Sequence, residues 1–188
     1  MMQKSARMLG IERRNFWATL RWSAALALLL VPLLAMRFSG EVAWSTGDFL
    51  FAALVIGGAG LAYELAVRTV AGGAYRAAVA AAVTGAVLVL WVNGAVGFVG
   101  DEGDRANLVF YAVIGLGSVG AIATLARPAP MAWVMSTMSV LQVAVGISTV
   151  GMDPVVIPAT IFFTGLWILS AHLFHRAARR ADEEAIGS

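Results

Sequence analysis

Residues 77–100 read AAVAAAVTGAVLVLWVNGAVGFVG, 24 consecutive positions without Asp, Glu, Lys or Arg. As a helix rising 1.5 Å per residue this stretch measures about 36 Å, enough to cross the ~30 Å hydrocarbon core of a bilayer. Charge stands only at its borders, with Arg76 before it and Asp101, Glu102 and Asp104 after it. A surface helix of a soluble domain carries polar residues along its water-facing flank, and this segment has none to offer. It is read as a transmembrane helix.

Five further apolar runs flank it, at 22–36, 49–67, 108–126, 131–152 and 155–174. The expected fold is all-α: a polytopic membrane bundle of six transmembrane helices over residues 22–176, joined by short loops as antiparallel hairpins. A cytoplasmic tail is expected at 177–188. Composition agrees, since hydrophobic residues make up 60% of the chain and charged ones 13%, against about 45–50% and 25% in soluble domains.

The run at 22–36 is the shortest. Arg21 and Arg37 enclose 15 residues, about 22 Å of helix, so both arginines must snorkel if it spans. Its basic approach, with Lys4, Arg7, Arg13 and Arg14, also resembles a signal peptide. No small-x-small cleavage site follows, however, and a retained helix is the expectation. Residues 1–21 place Met8, Leu9, Ile11, Phe16, Trp17 and Leu20 among these charges. They read as an amphipathic interfacial helix, or else as a basic tail that only sets topology.

Basic residues fix the expected orientation. Lys4, Arg7, Arg13, Arg14, Arg21, Arg68, Arg76, Arg127, Arg176, Arg179 and Arg180 fall on one side of the six-span arrangement, and only Arg37 and Arg105 on the other. By the positive-inside rule both termini are cytoplasmic. The same distribution accounts for the net charge of +2 through lipid head groups, so no nucleic-acid partner is expected.

Absence of cysteine removes thiolate metal sites, iron–sulfur clusters and cysteine nucleophiles, and the single lysine, Lys4, lies outside every run. The polar residues within the spans are few, and each is costly unless paired. Glu64 and Arg68 stand one turn apart and suit an i,i+4 ion pair. With His172 and His175 they form a candidate intramembrane cluster at the inner end, where Glu64 and His172 could also meet as a proton relay. Haem ligation is not expected from two histidines three positions apart on one helix, nor is a metal site. A rhomboid-type protease site is likewise excluded, because Leu116 occupies the glycine position before Ser118 and His172 lies at a different depth.

A second candidate set is Asn93, Gln142, Asp101, Glu102, Asp104 and Asn107. Its amides suit interhelical hydrogen bonds, or the lining of an outward-opening polar cavity with the acidic loop at its mouth. Gly57, Gly58, Gly60, Gly117 and Gly120 supply small faces for helix packing. Weak internal similarity joins residues 48–68 to 107–127 and residues 93–98 to 142–147, as a duplicated hairpin would.

The stretch from Trp91 through Asn93, Phe98 and Glu102, followed by Ala106, Asn107 and Leu108, resembles small multi-pass inner-membrane proteins of proteobacteria. Residues 62–66 (AYELA) and 47–49 (GDF) are similar to the same family. The resemblance implies a bacterial inner-membrane location and no particular activity, substrate or cofactor. Three functional classes therefore remain. The first is a non-enzymatic accessory, scaffold or regulatory protein, self-associating or bound to another membrane protein. The second is a small-solute transporter or channel, and the third a membrane-embedded enzyme using Glu64 and His172. No cofactor is expected in the first.

Overall fold

A computed structural model describes residues 19–20, 22–23, 25–38, 44–70 and 72–186. The expected interfacial helix of residues 1–21 lies almost wholly outside them. Among the described residues the chain is a set of helices without a strand: α1 (Ala25–Phe38), α2 (Thr46–Thr69), α3 (Gly73–Ala95), α4 (Leu108–Ala123), α5 (Pro128–Thr149) and α6 (Val156–Ile186). A single 3₁₀ turn, Arg105–Asn107, precedes α4. Among the described residues five helices are long and apolar enough to cross a membrane, and the described stretch of α1 is shorter than these.

The outer surface is oily. Leu54 is 75% exposed, Ile122 73% and Trp133 71%, a surface that water would drive to aggregate and that hydrocarbon accommodates. The protein is an all-α membrane protein.

Local chemistry sets the helix ends. At the start of α2 the Ser45 amide donates to Asp48 Oδ2 (2.6 Å) and the Asp48 amide to Ser45 Oγ (3.3 Å). This is a reciprocal capping box with aspartate in the acidic position. α3 stops at Ala95, five residues before the end of its apolar run, because Gly97 (φ 81°) and Gly100 (φ 63°) turn the backbone left-handed. α4 ends at Ala123 and not at 126, since Leu125 and Ala126 adopt φ of 50° and 53°. α5 then starts early, with Pro128 in its first turn, where the missing amide hydrogen costs nothing. The segment expected as a tail from 177 is helical through Ile186. Its Ala, Arg and Glu residues are good helix formers and nothing in them stops a helix.

The chain forms two compact units, residues 1–60 and 61–188, dividing within α2. In the first, Trp22 lies against Gly60, where an added Cβ would come 3.5 Å from the indole. In the second, α6 packs against both α3 and α5, and α4 closes against α5 and α3. Ser170 Oγ on α6 donates to the Ala78 carbonyl on α3 (2.9 Å), and Tyr75 meets Phe174 edge to face at 5.5 Å. These contacts bring the start of α3 to the middle of α6, and with Gly85 further along α3 set on Trp167 earlier in α6 the two run antiparallel.

Helix association in lipid lacks a hydrophobic drive and depends on close approach. Glycine provides it at four positions on three helix pairs. A Cβ on Gly85 would stand 2.8 Å from the Trp167 ring, one on Gly120 2.9 Å from Val134, and those on Gly117 and Gly146 would overlap Met138 and Thr160. Gly117 and Gly120 were expected to pack in this way from their spacing, whereas Gly85 and Gly146 were not. Gly57 and Gly58, expected in the same role, have no described residue within 4 Å of an added Cβ.

Candidate functional site

The acidic-loop end of the bundle is organised by Asn107. Its Oδ1 accepts the amides of Phe98 (2.9 Å) and Val99 (3.0 Å), and its Nδ2 donates to the carbonyls of Val99 (3.0 Å) and Asp101 (2.6 Å). One side chain thus satisfies four backbone groups that left the α3 ladder when the helix ended. Asn93 adds a fifth link, donating from Nδ2 to the Asn107 carbonyl at 2.9 Å. Phe98 is thereby held between Phe110 (4.6 Å) and Phe163 (5.7 Å).

The acidic residues above it are occupied with the turn itself. Asp101 Oδ1 accepts from the Gly103 amide (3.0 Å) and Asp104 Oδ1 from the Ala106 amide (2.8 Å). Glu102 is exposed. Among the described residues no group of three His, Asp or Glu side chains is placed to hold a metal ion.

The remaining amide, Gln142, sits deeper between α5 and α6. Its Oε1 receives the indole N–H of Trp167 at 3.5 Å, a long and weak bond. Relative exposures are 0% for Asn93 and 1% for both Gln142 and Asn107. These three candidates for the wall of an outward-opening cavity are therefore packed among helices and do not face solvent. Four polar atoms in this region have no partner among the described residues: Asn93 Oδ1, Gln142 Nε2, Thr160 Oγ1 and Thr164 Oγ1. Gly146 faces Thr160, and one turn along the antiparallel pair Gln142 comes level with Thr164. The two threonines are members of this seam that sequence reasoning passed over; their spacing of four on α6 was the available signal.

At the opposite, basic end, Arg68 Nη2 pairs with Glu64 Oε1 at 2.9 Å, Arg68 being 67% and Glu64 19% exposed. His172 is exposed and makes no hydrogen bond or ion pair among the described residues. His175 meets the Trp133 ring edge-on at 6.3 Å. The four residues of the inner candidate cluster thus form one ion pair and two outward-facing imidazoles. Tyr75, near the start of α3, is fully buried. Its hydroxyl donates to the Ala126 carbonyl at 2.7 Å, steadying the left-handed turn after α4.

Comparison with known proteins adds no relative: no family model matches the sequence, and no curated protein or solved structure does so.

Proposed function

We propose that this chain is a non-enzymatic protein of the bacterial inner membrane, acting as an accessory or scaffold through its lipid-facing helix surfaces. The observation that carries this reading is the closure of the interior. The two amides best suited to bind a solute, Asn93 and Gln142, are at most 1% exposed, and the described helices offer no cluster of charges such as pumps and ion-coupled carriers need. Resemblance to small proteobacterial inner-membrane proteins supports the location. The gathering of Arg68, Arg76, Arg127, Arg176, Arg179 and Arg180 at one end of the bundle supports cytoplasmic termini.

The test is purification of the full chain from its native membrane in mild detergent, with its companions quantified. A stoichiometric membrane-protein partner or a stable homo-oligomer is expected, and a chain that elutes alone as a monomer refutes the reading. A fluorescent reporter fused after Ser188 should be active and a periplasm-dependent enzyme reporter silent; the reverse pattern would overturn the orientation.

Small-solute transport is a second reading, favoured by the four unpartnered polar atoms between α3, α5 and α6. Saturable solute uptake by proteoliposomes, lost in Gln142→Leu, would replace the scaffold reading with this one.

A further inference from the structure

An open groove of about 670 Å³ runs between α4 and α5, lined chiefly by Leu116, Gly120, Trp133, Val134, Met138 and Leu141. We propose that it binds an anionic phospholipid, one acyl chain lying in the groove and the phosphate resting against Arg127.

The walls suit hydrocarbon. Only two hydroxyls border the groove, from Thr124 and Thr137, and Thr124 Oγ1 already donates to the Gly120 carbonyl at 2.8 Å. Beyond the Thr137 hydroxyl and the Trp133 indole N–H, a polar solute would find little there to replace its lost hydration.

Length distinguishes a lipid chain from a protein helix. On α5 the lining runs from Ala129 to Leu141, about 18 Å at 1.5 Å per residue, which begins in the first turn and ends just past the middle of the helix. That is the reach of one leaflet. A second transmembrane helix would need a seat across the full ~30 Å.

Charge at the mouth selects the head group. Arg127 immediately precedes α5, is exposed, and has no ion-pair partner among the described residues. It stands at the positive end of the helix dipole, where Pro128 and Pro130 lack amide hydrogens and the first turn keeps only that of Ala129, so the guanidinium is the main donor for an anion. Trp133, largely exposed in the groove wall, sits at the depth where indoles favour the head-group region.

The experiment uses the full chain in detergent, mixed with equal amounts of dioleoyl phosphatidylglycerol and dioleoyl phosphatidylcholine, with retained lipid read by native mass spectrometry. Wild type should keep the anionic lipid about fivefold over the zwitterionic one, the factor expected for one arginine at an anionic surface. Arg127→Gln should bring the ratio to about one while lipid is still retained, and Thr137→Trp, which fills the groove, should remove both lipids. Equal retention of the two lipids by wild type overturns the proposal, as does a preference that survives Arg127→Gln. A dimer dispersed by Thr137→Trp with lipid retention unchanged would show a second copy in the groove and overturn it too. If Thr137→Trp does not fold, quenching decides. Brominated phosphatidylglycerol must quench the emission lost in Trp133→Phe more strongly than brominated phosphatidylcholine, and equal quenching overturns the proposal.

Discussion

Replacing Asn107 with alanine should be among the most damaging single changes in this protein, although the residue is small and only closes a short 3₁₀ turn. The side chain makes four hydrogen bonds to backbone groups, each worth about 0.5–1.5 kcal/mol net, so their loss costs roughly 2–6 kcal/mol. Two considerations narrow the range. Phe98 and Val99 stay buried, so their amides are stranded without water, which favours the upper half. The position is close to the aqueous boundary and the vacated volume can admit a water molecule, which returns part of the loss. We expect about 3–4 kcal/mol.

Reversible unfolding of the full chain in mixed micelles, titrated with SDS and followed by circular dichroism, measures the change. Hydrogen exchange at Phe98 and Val99 should accelerate in parallel. Gln142→Met is the internal control: that amide makes one long bond and leaves its Nε2 without a partner, so an apolar side chain of similar size should cost no more than about 1 kcal/mol. An Asn107→Ala protein within about 0.5 kcal/mol of wild type, or a Gln142→Met protein less stable than Asn107→Ala, would refute the reasoning.

Other substitutions probe the remaining features. Gly85→Ala should destabilise by about 1–3 kcal/mol, because its Cβ would press on the Trp167 ring, whereas Gly57→Ala, with open space, should be neutral or stabilising by up to about 1 kcal/mol; the same SDS titration compares them. Thr164→Val removes a buried hydroxyl that has no partner and should leave stability unchanged or raise it, so a clear loss would mean that the hydroxyl is bonded after all. Glu64→Gln breaks an ion pair whose arginine is largely exposed and should cost at most about 0.5 kcal/mol, read by the same titration at low and high salt.

The spans were legible because hydrocarbon imposes a length on any helix that crosses it, and 77–100, 131–152 and 155–174 met that requirement on apolarity alone. Their ends were less legible, because apolarity does not stop when a helix does. Residues 96–100 are as oily as the helix before them, yet Gly97, Gly100 and a distant asparagine divert them into a loop. Asn107 itself was read as a cavity group, since a lone polar residue at a span boundary does not disclose whether it faces water or its own backbone. Two glycine clusters looked equivalent in sequence, but Gly117 and Gly120 meet α5 while Gly57 and Gly58 meet nothing among the described residues; the difference lies in which face the tertiary arrangement turns inward. The related motifs at 93–98 and 142–147 diverge for the same reason. Gly97 breaks a helix, and Gly146 lets two helices touch. The Glu64–Arg68 pair, set by four-residue spacing within one helix, needed no tertiary information.

The bonding of Asn107 has a mechanical side. At the acidic-loop end Asn107, which stands at the start of α4, is riveted to Asn93 of α3 and to the loop between them through five hydrogen bonds in a span of fifteen residues, while at the basic end the Tyr75 hydroxyl ties α3 to the Ala126 carbonyl beyond α4. Any tilting of α4 away from α3 must therefore pivot about the riveted end and swing widest at the other, like a door hung on one side.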